Sequence, residues 1–167
     1  MKKVLTIIGL LSISCAFAQG GPLVINNYTG YDFHTRVTAA NLTTPGCYFY
    51  VTLDNPELVI PSGSSVSYNS YNIPGTLWKV STSPSGGTPR LGSHPSLALG
   101  GVISVNTQWV VSEFQFYQAG TPSSSGAVGD PSYSCNPVPG VYFTPQASVE
   151  WFTVSSGGTT YTYLQAL

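Results

Sequence analysis

Asp32, His34 and Arg36 occupy alternate positions of one short segment, Tyr31–Ala39. In an extended chain alternate side chains share a face, so an acid, an imidazole and a guanidinium would stand in a row. An acid beside a histidine is the core of general-base chemistry, because the acid orients the ring. The row lacks a nucleophile, however. No Gly-x-Ser-x-Gly elbow occurs, and no serine has a distinctive setting. An outward polar face with weak surface charges accounts for the row more simply.

Glu113 and Glu150 form a second pair, each on a strand-like stretch with a tryptophan close by, Trp109 and Trp151. Two carboxylates across a cleft are what glycoside hydrolysis needs. A sheet face half covered by a loop explains the pattern with less. Asp54-Asn55-Pro56-Glu57 offers oxygens to calcium but lacks the spacing and glycine of an EF-hand loop, so it reads as a strand-ending turn. Neither histidine has metal-ligand spacing. No catalytic set, metal site or cofactor is expected.

Aromatic rings are the richest resource. After residue 18 the chain holds 11 tyrosines and 3 tryptophans. Tyr48 and Tyr50 share one face of a strand, as do Tyr161 and Tyr163. With Trp78 and Trp109 these make six candidate ligand-contact rings. Tyr and Trp give large amphipathic contacts at little conformational-entropy cost, and they stack on sugars.

The elements that must position these residues are strands. Proline and glycine punctuate the chain too often for helices, and Tyr, Val, Thr, Trp and Phe dominate between the breaks. The spacing predicts strands at Leu23–Asn27, Tyr31–Ala39, Cys47–Leu53, Leu58–Ile60, Ser65–Tyr71, Thr76–Thr82, Val102–Val105, Gln108–Tyr117, Ser148–Val154 and Thr159–Gln165. Pro61-Ser62-Gly63 reads as a hairpin turn. Ser155-Ser156-Gly157-Gly158 closes a C-terminal hairpin. Within Gln108–Tyr117, Val110, Ser112, Phe114 and Phe116 would share one face, and Trp109, Val111, Glu113 and Gln115 the other. Ser83–Gly101 and Ala119–Gly140 read as long loops. Nine or ten strands in one domain without a repeat imply an all-β, single-domain antiparallel β-sandwich, with a β-barrel as the alternative.

Lys2-Lys3, the apolar run Val4–Ser14 and Ala16-Phe17-Ala18 have the layout of a secretory signal peptide at residues 1–18, cut between Ala18 and Gln19. The apolar run is too short to span a bilayer. A lipid-modified Cys15 is the rival reading, and Ser12 disfavours it by standing where a large aliphatic residue is usual. The domain proper is then 19–167, destined for the cell envelope or the medium. Its two cysteines, Cys47 and Cys135, read as one disulfide.

That domain carries three cations, Arg36, Lys79 and Arg90, against six carboxylates. Three cations cannot track a phosphate backbone or an anionic membrane, so nucleic acid is not an expected partner. No transmembrane segment follows residue 18. A surface this poor in charge repels its neighbours weakly, which favours docking or self-association. The leading reading is a secreted, non-enzymatic sandwich that works by contact, with another copy, an extracellular protein or a glycan as partner. A small secreted polysaccharide hydrolase, using Glu113, Glu150 or Asp32 with His34, is the alternative. A membrane-active protein is the third reading, and the shortage of cations weighs against it.

Overall fold

Residues 21–83 and 85–167 are described by a computed structural model. The segment read as a signal peptide, with Cys15, Ala18 and Gln19, lies outside the described residues. The strands are β1 (Leu23–Asn27), β2 (Asp32–Ala40), β3 (Tyr50–Asn55), β4 (Leu58–Ile60), β5 (Ser65–Tyr68), β6 (Leu77–Ser81) and β7 (Thr88–Leu91). They continue with β8 (Gln108–Gln118), β9 (Thr121–Gly129), β10 (Val141–Phe143), β11 (Ser148–Ser156) and β12 (Thr159–Ala166).

They form two sheets. One has the order β10-β11-β12-β1-β5; the other runs β7-β6-β3-β2-β8-β9, with β4 also paired to β2. The sheets pack as a sandwich, and no closed barrel forms. Pairing is antiparallel except between β1 and β12, which run parallel. Period-two burial holds the layers together. Phe33, Thr35 and Val37 of β2 point inward, as do Ser112, Phe114 and Phe116 of β8. Val149, Trp151 and Leu164 meet them from the other sheet.

The structure differs from the sequence reading at four places. Among the described residues twelve strands form rather than nine or ten, because β7, β9 and β10 arise in segments where the sequence predicts loop or no element. β9 is Thr-Pro-Ser-Ser-Ser-Gly-Ala-Val-Gly, which has almost no strand propensity; the length of β8 beside it supplies the pairing. Val102–Val105 is not a strand, and a 3-10 turn at Ser104–Asn106 stands there instead. Pro61-Ser62-Gly63 does not close a hairpin. β4 pairs with β2 in one sheet and β5 with β1 in the other, so the turn carries the chain across the sandwich.

The fourth difference is a β-bulge. The β2–β8 register slips between Thr38 and Ala39, so Thr38 faces Val111 while Ala39 faces Trp109. Val110 is the extra residue. Past it the faces exchange, and Trp109 turns into the main core. Val110 and Val111 instead join a smaller core with Ala40, Cys47, Tyr50 and Tyr133 on the outside of the seven-stranded sheet. The segment that carries Tyr133 and Cys135 covers it. A Cys47–Cys135 disulfide ties that cover down, with its Cα atoms 6.1 Å apart.

Candidate functional site

Outward-facing positions of β10, β11 and β12 build one continuous surface. The β11–β12 hairpin turns through Gly157 and Gly158, both at positive φ (59° and 79°), as a two-residue turn of this hand requires. That turn sets the register. Glu150 stands opposite Gln165, Phe152 opposite Tyr163 and Val154 opposite Tyr161. On the far side β10 sets Val141 against Glu150 and Phe143 against Ser148. Inward neighbours Val149, Trp151, Thr162 and Leu164 are buried, which aims this set at solvent.

The surface is apolar and sparsely charged. Phe143 is 78% exposed, and Val141, Phe152 and Val154 are exposed as well. Phe152 and Tyr163 stack across the strands, ring centroids 5.1 Å apart and planes within 7° of parallel. Tyr161 and Tyr163 are half-buried. Glu150 is the one ionisable carboxyl among the outward side chains of these three strands. Amide and hydroxyl groups of Gln165, Ser148 and the tyrosines surround the rings.

The six rings singled out in the sequence divide. Tyr161 and Tyr163 lie on this face. Tyr48 is exposed in the connection before β3, away from it. Tyr50, Trp78 and Trp109 are buried, Trp109 at the floor of a separate cavity beside Gly21 and Asn41. Trp78 and Trp109 pack with Tyr71 between the sheets, with centroids 5.0 to 5.9 Å apart. Their indole N–H groups donate to the carbonyls of Tyr71 and Gly21 at 2.8 and 2.9 Å. Phe152, Phe143 and Val154 are exposed on this face and are not among the six rings and polar residues singled out from the sequence.

The candidate catalytic pairs come apart. Glu113 points outward from the seven-stranded sheet and Glu150 outward from the five-stranded one, so both layers of the sandwich separate them. They cannot flank one glycosidic bond. His34 does not pair with Asp32. Its Nδ1 lies 2.8 Å from Glu57 Oε1, and its ring packs against Tyr117 at a 30° tilt with centroids 4.1 Å apart. Asp54 is ion-paired to Lys79 at 2.8 Å, so the two acids of Asp54-Asn55-Pro56-Glu57 serve different partners and do not converge on a cation. Among the described residues no group of three His, Cys, Asp or Glu side chains could hold a metal ion. Nor is any helix there long and apolar enough to cross a membrane.

No family model, curated protein or solved structure matches this chain. Its surfaces must therefore be read from their own chemistry. An all-β domain with clustered exposed aromatics, and no assembled metal or catalytic set among the described residues, is what a structural or binding module presents.

Three tyrosines are tuned by burial rather than by the site. Burial pushes the Tyr71 hydroxyl above the usual tyrosine range, and its hydrogen bond with Thr107 at 2.7 Å offsets part of the rise. Tyr133 is raised by burial and by the neighbouring Tyr50. Tyr68 is raised by burial alone. All three belong to the packing interior and its margins, not to the β10–β12 face.

Proposed function

We propose that this chain is a secreted, non-enzymatic contact module that binds a glycan strand across the outer face of β10, β11 and β12. The stacked pair Phe152 and Tyr163 carries the reading. A sugar ring offers one apolar C–H face and a rim of hydroxyls. The β10–β12 face offers rings for the first and Glu150, Gln165 and Ser148 for the second. The ring pair is already stacked in the free protein, so binding freezes few additional rotamers. Export, inferred from residues 1–18, places such a module where surface and extracellular polysaccharides are met.

Co-sedimentation with a panel of insoluble polysaccharides tests the proposal. The wild-type chain should pellet with at least one of them. Phe152→Ala or Tyr163→Ala should lower that affinity about tenfold, the cost of a large ring at the centre of a contact. Tyr28→Ala removes a ring that is 60% exposed elsewhere and should change nothing. Light scattering against concentration is the companion measurement. If the face variants abolish self-association while no polysaccharide is bound, the partner is another copy and the glycan reading is wrong.

A further inference from the structure

The opposite side of the sandwich carries a trough of about 660 Å³ over β2, β8 and β9. A step in side-chain size creates it. β2 and β8 send out His34, Arg36, Glu113 and Gln115, while the neighbouring stretch of β9 is Ser125, Gly126 and Ala127. Two of the long side chains, His34 and Gln115, are held in place. His34 is fixed by Glu57 on one side and Tyr117 on the other. The Tyr117 hydroxyl donates to Gln115 Oε1 at 3.1 Å. Arg36 stands directly opposite Glu113 across the β2–β8 ladder.

We propose that this trough is a second binding site, separate from the aromatic face, and that its ligand is an uncharged sugar unit. Charge selects the class. A carboxylate or phosphate would meet Glu57 and Glu113 beside the guanidinium, and an ammonium would meet Arg36. A neutral polyol suits both signs, because vicinal hydroxyls donate to the Glu113 carboxylate and accept from the Arg36 fork. Size agrees, since the volume falls within the range of small-molecule sites. The grip differs from that of the aromatic face. The polar ends of Arg36, Glu113 and Gln115 line the trough, so hydrogen bonds from these groups hold the ligand. The choice of a sugar rests on the glycan reading above; the trough itself does not. With two sites facing opposite ways, one molecule can hold two strands.

Amide chemical-shift mapping on the ¹⁵N-labelled chain tests this, with neutral glucose and mannose hexamers and a galacturonate hexamer as probes. A neutral hexamer should move the amides of Arg36, Glu113 and Ser125 as well as those of Phe152 and Tyr163. Glu113→Gln should weaken the trough response about tenfold, the loss expected for one charge-assisted hydrogen bond. Ser125→Tyr should fill the trough and abolish its response while the Phe152 and Tyr163 shifts persist. Shifts confined to the aromatic face would overturn the second site and leave the first standing. A stronger trough response to galacturonate would overturn the charge argument. Silence on both faces would sink this inference together with the proposed function.

Discussion

Replacing both Cys47 and Cys135 with alanine should cost this domain a large share of its stability. The two residues are 88 apart in sequence, and among the described residues they form the one covalent cross-link. Loop-closure entropy for a crosslink of that span corresponds to roughly 4.6 kcal/mol at 25 °C. Unfolding entropy near 2.1 cal/mol/K per residue gives a domain of this size about 0.3 kcal/mol/K, so the melting temperature should fall by about 15 °C. The location of the bond adds a second signature. It ties the segment bearing Tyr133 over Val110, Val111 and Tyr50, so its loss should loosen that smaller core before the main one. Calorimetry and guanidinium unfolding would give the total. Amide exchange would show protection lost first around Tyr133. A melting shift under about 5 °C, or exchange that rises uniformly through both cores, would refute the reasoning.

Stability should also fall at alkaline pH. Tyr71 and Tyr133 are 5% and 2% exposed, and burial raises the hydroxyl pKa of both in the folded state. Their contribution is intact below the unfolded value near 10 and is lost as pH climbs from there toward the folded values, at about 1.4 kcal/mol per pH unit for each. Urea unfolding between pH 9 and pH 11 should show this decline, and Tyr71→Phe should lower its slope by roughly a third to a half, since Tyr68 and Tyr133 still contribute; an unchanged slope counts against Tyr71. Gly126→Ala is a packing test, because an added Cβ would come within 2.7 to 2.8 Å of the Tyr142 and Phe114 rings. It should destabilise by about 1–3 kcal/mol through overpacking, measured by urea unfolding, and a neutral result would show that those rings can shift freely.

Most of the architecture was legible where period-two burial is strong. β2 and the C-terminal half of β8 needed only the alternation of Phe33, Thr35 and Val37, and of Ser112, Phe114 and Phe116, to declare their inner faces. The disulfide followed from two cysteines in a chain read as exported. Trp109 went to the wrong face because a bulge at Val110 leaves no signal in alternation; one extra residue reverses every side chain beyond it. β9 was hidden because its residues do not favour strands, and an adjacent long strand recruited them. Phe152 could have been found. Once the turn is placed at Gly157-Gly158, the register of the hairpin puts Phe152 opposite Tyr163 without further information. Glu57 as the partner of His34 could not have been found, because the contact spans 23 residues and depends on how β4 lies along β2.

The measurement that bears most directly on the role of the β10–β12 face is native affinity electrophoresis of the wild-type chain beside the Phe152→Ala/Tyr163→Ala double variant, in gels cast with a soluble derivative of whichever polysaccharide the wild type pellets with. The wild type should be retarded in proportion to the polysaccharide added, and the double variant, with its melting temperature and disulfide intact, should migrate as in a plain gel. Equal retardation of the two proteins would contradict the account.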